Sequence, residues 1–158
     1  MRRWNGWGDD SVDYPLPEAG LPFLEKVAGP GVVTPDATLA EVLAQVPPSR
    51  LREHPLIHTD AEVRLRHARG HSLPDWIALK SGAIGVFPDG VAYPTTDEEV
   101  RELIRYAQTT GARLIPYGGG TSVVGQINPL PGEAPVLTVD MGRMCRLRAF
   151  DSVSQLAT

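Results

Sequence analysis

Apolar positions in the first half of the chain follow a helical period. Four of them recur at the i, i+3, i+4, i+7 spacing of an amphipathic helix: Leu39, Val42, Leu43 and Val46. Thr38 and Glu41 have the spacing of a capping box at the start of this helix, and Pro47-Pro48 ends it. A second box, Thr59 to Glu62, predicts another helix that runs to about Arg69. We expect both to be amphipathic surface helices.

Residues 1–36 lack such a pattern and predict an irregular arm with one short helix near Pro22 to Val27. Trp4 and Trp7 are expected to clamp this arm onto its own domain. The alternative is that the two indoles bind a partner or a membrane interface. Further on, Asp75 and Trp76 predict the cap and the packing residue of a short helix.

The pattern changes from Phe87 onward to strands that alternate with a helix. Short strands are predicted over residues 90–94, 112–116 and 136–140. Between the first two, Thr96 to Glu99 caps a helix that ends at Gly111. Its apolar stripe consists of Val100, Leu103, Ile104 and Ala107. This order predicts a βαβ unit with a ligand loop at the carboxyl edge, and a division into residues 1–86 and 87–158.

A glycine-rich loop follows the second predicted strand. Three consecutive glycines cost backbone entropy, and they suit a chain that brings its N–H groups close to an anion. The hydroxyls of Thr121 and Ser122 can donate to phosphate oxygens without adding charge. We predict a pyrophosphate site formed by Pro116, Tyr117, Gly118, Gly119, Gly120, Thr121, Ser122 and Val123.

Two commoner phosphate motifs do not fit this loop. The spacing from Gly120 to Gly125 is that of a Walker A motif, but Gln126-Ile127 replaces its lysine and hydroxyl residue. The dinucleotide fingerprint lacks its third glycine, because Val123 stands there. The remaining alternative is a tight turn with no ligand, which needs one or two glycines rather than three.

Composition narrows the class of protein. The net charge of −4 argues against binding nucleic acid, which requires a basic face. Cys145 is alone, so an intrachain disulfide is excluded; we expect a buried, inert thiol and a cytoplasmic location. The paired arginines at the start precede no apolar segment of an export signal. The carboxyl end resembles a truncated domain.

The four histidines form two pairs with i, i+4 spacing. His54 and His58 are separated by Pro55, and His67 and His71 are separated by Gly70, so neither pair lies on an uninterrupted helix. No acidic residue or cysteine completes a ligand set at suitable spacing. We therefore predict no metal site.

The glycine loop and its flanks resemble the vanillyl-alcohol oxidase and p-cresol methylhydroxylase (PCMH) superfamily of FAD-binding proteins. The resemblance extends upstream through residues 87–100 and downstream through residues 136–144, with Cys145 in place of a usual Asn. The opening Arg3 to Gly8 and the later Arg69 to Leu73 are similar to the subgroup that contains alkyldihydroxyacetonephosphate synthase and bacterial relatives.

This resemblance implies an α+β fold: the first βαβ subdomain of a PCMH-type FAD-binding domain, preceded by a helical amino-terminal region and truncated. It also implies non-covalent FAD, because Thr121 occupies the position at which some members use a histidine for covalent attachment. The residues that resemble catalytic ones lie beyond Thr158 in the family, so no catalytic residue is assigned.

The function implied is that of a flavoenzyme in ether-lipid synthesis, in which a fatty alcohol replaces the acyl group of acyl-dihydroxyacetone phosphate. The substrate is then a small molecule of the lipid-precursor class, and peripheral membrane contact and a homodimer are allowed. Two alternatives stay open: an FAD-linked oxidase or dehydrogenase of a 2-hydroxy acid, and a catalytically silent binding module.

Overall fold

A computed structural model of the chain describes residues 3–32 and 34–158. The helices are α1 (Gly20–Ala28), α2 (Leu39–Leu43), α3 (Ala61–Leu65), α4 (Leu73–Ser81) and α5 (Asp97–Thr110). The strands are β1 (Ile57–His58), β2 (Gly90–Ala92), β3 (Arg113–Tyr117), β4 (Val136–Asp140), β5 (Phe150–Asp151) and β6 (Leu156–Ala157). The α+β class predicted from the sequence is confirmed.

The predicted helices differ from the observed ones mainly at their ends. The capping box of α2 is confirmed, since Thr38 and Glu41 bond reciprocally, but the helix ends at Leu43 before reaching the prolines. The second predicted box is wrong. Asp60 is the N-cap of α3 and its side chain makes no capping bond, and the helix ends at Leu65. Its last residues are buried, so α3 packs into the core and is not a surface helix.

The main sheet has the strand order β1-β2-β4-β3. Strands β2, β4 and β3 are parallel, and Val91 and Ile115 both lie beside Thr138 of the central strand. The predicted strands are therefore confirmed, with β4 inserted between the two strands that α5 connects. The antiparallel edge strand β1 was not predicted, because two residues show no periodicity.

Helix α5 covers one face of this sheet. Thr96 accepts a hydrogen bond from the Glu99 N–H at its start, and Gly111 ends it in the left-handed conformation, as predicted. Leu103 and Ala107 are buried against a cluster formed with Ala92, Leu137 and Val139. A leucine buried in this way stabilises the fold by about 1.5–3 kcal/mol. Ile104, predicted on the same stripe, is 42% exposed.

A second apolar cluster links the helices of the first half to the start of the sheet. It consists of Val42, Leu65, Ala68, Leu79, Ile84 and Phe87. Trp4 packs against it from the amino-terminal arm. Because this cluster includes residues on both sides of position 86, the two predicted parts of the chain share a core. The division at 86/87 stays a prediction.

A buried carboxylate joins these layers. Asp89 is 2% exposed and accepts from the Arg50 guanidinium at 2.8 and 2.7 Å and from the Val136 N–H at 2.8 Å. Buried Arg64 lies nearby and donates to the carbonyls of Pro88 at 2.6 Å and Pro47 at 2.7 Å. Burial lowers the pKa of Arg64, and the negative charge of Asp89 opposes this shift. These bonds connect the segment before β1 to the residues directly before β2 and to the first residue of β4.

The amino-terminal arm is held at its tryptophans. The Trp7 ring stacks on that of Trp76 at 5.2 Å with planes 6° apart. The predicted clamp of the arm onto its own domain is confirmed at both residues. Helix α1, in contrast, has no buried residue. No described helix is long and apolar enough to cross a membrane.

Candidate functional site

The glycine-rich loop leaves the sheet at the carboxyl ends of the parallel strands. Strand β3 ends at Tyr117, directly before the loop, and Tyr117 lies in register with Asp140 at the end of β4. Strand β2 ends one pair earlier, with Ala92 beside Val139. The carboxyl edge of a parallel sheet is where ligands bind in α/β folds, so the predicted position of the loop is the one expected for a binding site.

The first glycines of the loop have free space where a side chain would stand. A Cβ built on Gly118 meets no atom within 4 Å, and one on Gly119 meets only the Thr121 methyl group at 3.8 Å. Protein packing therefore does not explain these two glycines, whereas close approach of a ligand to the backbone does. Gly120 differs, since its φ of 71° is left-handed and favours glycine on backbone grounds.

The polar side chains of the loop have different roles. Thr121 is exposed. The Ser122 hydroxyl donates to the Gln126 side chain at 2.6 Å, so it can donate to a phosphate only if that bond opens. Tyr117 is 2% exposed, and its ring points into the protein. Gly118, Gly119 and Thr121 therefore form the exposed hydrogen-bonding part of the predicted site, and Pro116 and Val123 are exposed as well.

The segment from Arg69 to Ser72 supports the far side of this loop. The His71 N–H donates to the Ser122 carbonyl at 2.6 Å. Gly70 lies so close that a Cβ there would stand 2.5 Å from the same carbonyl oxygen. A glycine is needed at position 70 because a side chain would displace the loop.

Asp75 connects this segment to the end of the loop. It is 3% exposed and caps α4 by accepting from the Ser72 N–H and hydroxyl. Its other oxygen accepts from the Asn128 side chain at 2.5 Å, and Asn128 in turn accepts from the Gly70 N–H at 3.0 Å. The predicted helix cap is confirmed. The link to Asn128 was missed, because neither residue forms a motif with the other in sequence.

We expect Gly70→Ala to weaken FAD binding by the complete gene product about tenfold, the equivalent of about 1.4 kcal/mol. The added methyl group must push the Ser122 carbonyl away, which breaks its bond from His71. Isothermal titration with FAD measures the effect. Gly31→Ala is the matched control, since a Cβ there meets no atom within 4 Å. Equal affinities for the two variants would contradict this role of Gly70.

The histidines and the cysteine lie in separate surroundings. His54 lies 3.2 Å from Glu102, and His58 is on β1 with its ring against Tyr93. His67 is buried and lies 3.0 Å from Asp140. No group of three potential metal ligands occurs among residues 3–32 and 34–158. The expected buried thiol is wrong: Cys145 is exposed, because the chain leaves the core after the 3-10 helix Met141–Arg143.

Comparison with known proteins agrees with this geometry. Residues 88–158 match a family described as the FAD binding domain. This range contains the three parallel strands, α5 and the whole glycine-rich loop. The fold and the loop therefore agree with one class: residues 88–158 are similar to FAD-binding domains, and the predicted resemblance to this class of flavoproteins is confirmed.

The similar curated proteins include enzymes named alkyldihydroxyacetonephosphate synthase. The one from Trypanosoma brucei brucei is 29% identical over 98% of this chain and 31% of its own length. The one from Caenorhabditis elegans is 26% identical over 94% of this chain and 30% of its own length. The one from Dictyostelium discoideum is 35% identical over 58% of this chain and 15% of its own length. The chain thus spans less than a third of the length of these relatives.

Solved structures of alkyldihydroxyacetonephosphate synthase share the fold. One superposes with a TM-score of 0.74 at 24% identity, over 99% of this chain and 35% of the other. A second superposes with a TM-score of 0.73 at 25% identity, over 99% of this chain and 36% of the other. The predicted PCMH-type fold is confirmed, including the amino-terminal region that precedes the family match at residue 88.

Proposed function

We propose that residues 116–123 hold the pyrophosphate of FAD, and that the complete gene product is an FAD-dependent enzyme of the alkyldihydroxyacetonephosphate synthase type. The observation that carries this proposal is a contact between two segments that the sequence analysis singled out independently. The Arg69 to Leu73 segment, which resembles the synthase subgroup, donates from His71 directly to Ser122 of the glycine loop. The proposal therefore rests on a segment that resembles the synthase subgroup as well as on the glycine loop.

The cofactor fits the residues on the chemistry of its phosphates. The open space above Gly118 and Gly119 allows phosphate oxygens to approach the backbone N–H groups. The exposed hydroxyl of Thr121 supplies a further neutral donor. A loop of this kind binds an anion through partial charges, so the net charge of −4 does not oppose it. When bound, FAD supplies the reactive ring that amino-acid side chains lack.

The proposed substrate is a small molecule, a phosphate-bearing lipid precursor. In the proposed reaction a fatty alcohol replaces the acyl group of acyl-dihydroxyacetone phosphate, and a fatty acid is released. Similarity of the relatives over 98% and 94% of this chain, arm included, supports this substrate class. A cytoplasmic location, contact with a membrane surface and a homodimer stay predictions.

The test of this function is an exchange assay with the complete gene product. The purified protein with FAD is supplied with acyl-dihydroxyacetone phosphate and a radiolabelled long-chain alcohol. We expect label in alkyldihydroxyacetone phosphate and an equal amount of released fatty acid. Label that stays in the alcohol, together with flavin bleaching by a 2-hydroxy acid, would instead identify an oxidase or dehydrogenase.

We further propose that FAD is held without a covalent bond. Threonine at position 121 cannot form the histidyl linkage that some members of the superfamily make there. After acid precipitation of the yellow protein, we expect all flavin in the supernatant. A histidyl-linked flavoprotein treated in parallel provides the control, and yellow colour that stays in the pellet would refute the proposal.

A further inference from the structure

A pair of ionisable side chains, buried His67 and partly buried Asp140, lies next to the residue from which the glycine loop starts. His67 is 6% exposed, and its Nε2 lies 3.0 Å from Oδ2 of Asp140. Its other ring nitrogen, Nδ1, lies 2.7 Å from the carbonyl oxygen of Val63. The remaining carboxylate oxygen of Asp140 accepts from the Gly142 N–H at 2.8 Å. The pair thus joins the segment after α3 to the end of β4.

The partners of the ring determine how many protons it carries. A carbonyl oxygen only accepts, so Nδ1 must donate to Val63. An ionised carboxylate also only accepts, so Nε2 must donate to Asp140. Both bonds are made together when the imidazole is a cation, and the bond to Asp140 is then charge-assisted.

This pair contacts the residue from which the glycine loop starts. The ring of His67 packs on that of Tyr117, with centroids 4.6 Å apart. Tyr117 directly precedes Gly118 and is in register with Asp140 on the neighbouring strand. Its hydroxyl donates to the Arg66 carbonyl at 3.4 Å. The ends of β3 and β4 are therefore both held by residues 66 and 67.

We propose that His67 and Asp140 are positioning residues of the flavin site: the cationic imidazole, fixed by Asp140, holds Tyr117 and so sets the path of the loop that binds the pyrophosphate. This inference rests on the proposed FAD site. It adds that FAD affinity depends on the proton of His67, although His67 itself does not contact the cofactor.

Other groups around the pair keep their charge near neutral pH. Arg143 lies over the Tyr93 ring at 4.9 Å, and Tyr93 packs edge-on against His67. Burial and then the charge of Asp140 raise the pKa of Tyr93, so it stays neutral. His58 packs on Tyr93 as well and is the other imidazole nearby. The two imidazoles of the cluster are therefore distinguished by substituting His67 and His58 separately.

The experiment measures the FAD dissociation constant of the complete gene product from about pH 6 to about pH 9, by quenching of flavin fluorescence. For the wild type we expect affinity to fall about tenfold over this range, because a neutral imidazole has one N–H and can donate to only one of Val63 and Asp140. His67→Arg keeps a donor and a fixed charge, so its affinity should stay within about threefold of wild type at pH 6 and be independent of pH. His67→Phe keeps only the ring packing and should bind about tenfold more weakly, also without pH dependence.

His58→Phe is the control, and it should keep the wild-type pH dependence. A wild-type pH dependence in His67→Arg would overturn the inference, and so would wild-type affinity in His67→Phe. If His67→Phe does not fold, as judged by circular dichroism, the pH profile of His67→Arg decides. A wild-type protein that binds FAD equally at every pH refutes the inference alone, whereas one that binds no FAD refutes the proposed site as well.

Discussion

Replacing Gly118 by valine is expected to lower the FAD affinity of the complete gene product at least about 100-fold while the fold persists. A Cβ at this position meets no protein atom within 4 Å, so the native packing leaves room for a side chain. The same side chain occupies the space through which a phosphate reaches the loop N–H groups. Two lost hydrogen bonds to a charged ligand, at about 1.5–3 kcal/mol each, account for this effect.

The measurement is flavin absorbance near 450 nm after gel filtration with added FAD, combined with the unfolding midpoint of the FAD-free protein. Gly31→Val is the matched control, because Gly31 also has open space around its Cβ position and lies in the arm. A yellow Gly118→Val protein would show that the loop is a turn without a ligand.

Replacing Asp89 by asparagine is expected to lower the free energy of unfolding by about 2–3 kcal/mol at neutral pH. The buried carboxylate accepts from Arg50 and from the Val136 N–H, and its charge compensates that of buried Arg64. Asparagine has one acceptor oxygen and turns an N–H₂ group toward one of these donors. The effect is smaller than the about 3–5 kcal/mol typical of a broken buried ion pair, because the Arg50 side chain is 45% exposed.

The loss in free energy of unfolding caused by Asp89→Asn should depend on pH. Burial raises the pKa of Asp89, but hydrogen bonds from Arg50 and Val136 outweigh it and hold the pKa below the ordinary value of 3.8. A carboxylate with a lowered pKa contributes stability that is present above about pH 4 and is lost as the pH falls through the folded-state value. The difference between wild type and Asp89→Asn should therefore be largest near pH 7 and shrink below about pH 4.

Urea unfolding of both proteins at several pH values provides this comparison. Asp36→Asn is a suitable control, because Asp36 forms a 2.5 Å ion pair with Lys80 in which both side chains are more than 40% exposed. Such a surface pair contributes about 0–1 kcal/mol. If the two substitutions cost the same, the role assigned to buried Asp89 is wrong.

Elements specified by neighbouring residues were predictable from the sequence. Helix α5 has its cap at Thr96, its apolar stripe and its terminal Gly111 within one short stretch, and its observed bounds agree with these signals. Helix α3 was less predictable. The residues of its predicted capping box are present, but Asp60 is the N-cap and makes no capping bond. The helix ends at Leu65, which is buried in the core.

The candidate site likewise has a part that was predictable from the sequence and a part that was not. The glycine loop was visible as a run of residues that are costly unless they face a ligand. Its supports were not visible as such: Gly70 and Asp75 lie about 50 residues away, with Asp75 bonded to Asn128 across a separation of 53 positions. The Arg69 to Leu73 stretch was singled out by resemblance, and its contact with Ser122 explains what the stretch does.

The sequence by itself predicted the parallel strands, α5 and a glycine loop suited to a pyrophosphate, because each of these depends on residues close together in the chain, and the resemblance carried by the same residues predicted FAD. Only the tertiary structure decided that β4 lies between β2 and β3, that Asp89 joins Arg50 to Val136, and that His67 meets Asp140 under the loop. These contacts bring together residues separated by 39 to 73 positions. Such pairs form because burial of the two apolar clusters brings the segments together, and no local pattern encodes them.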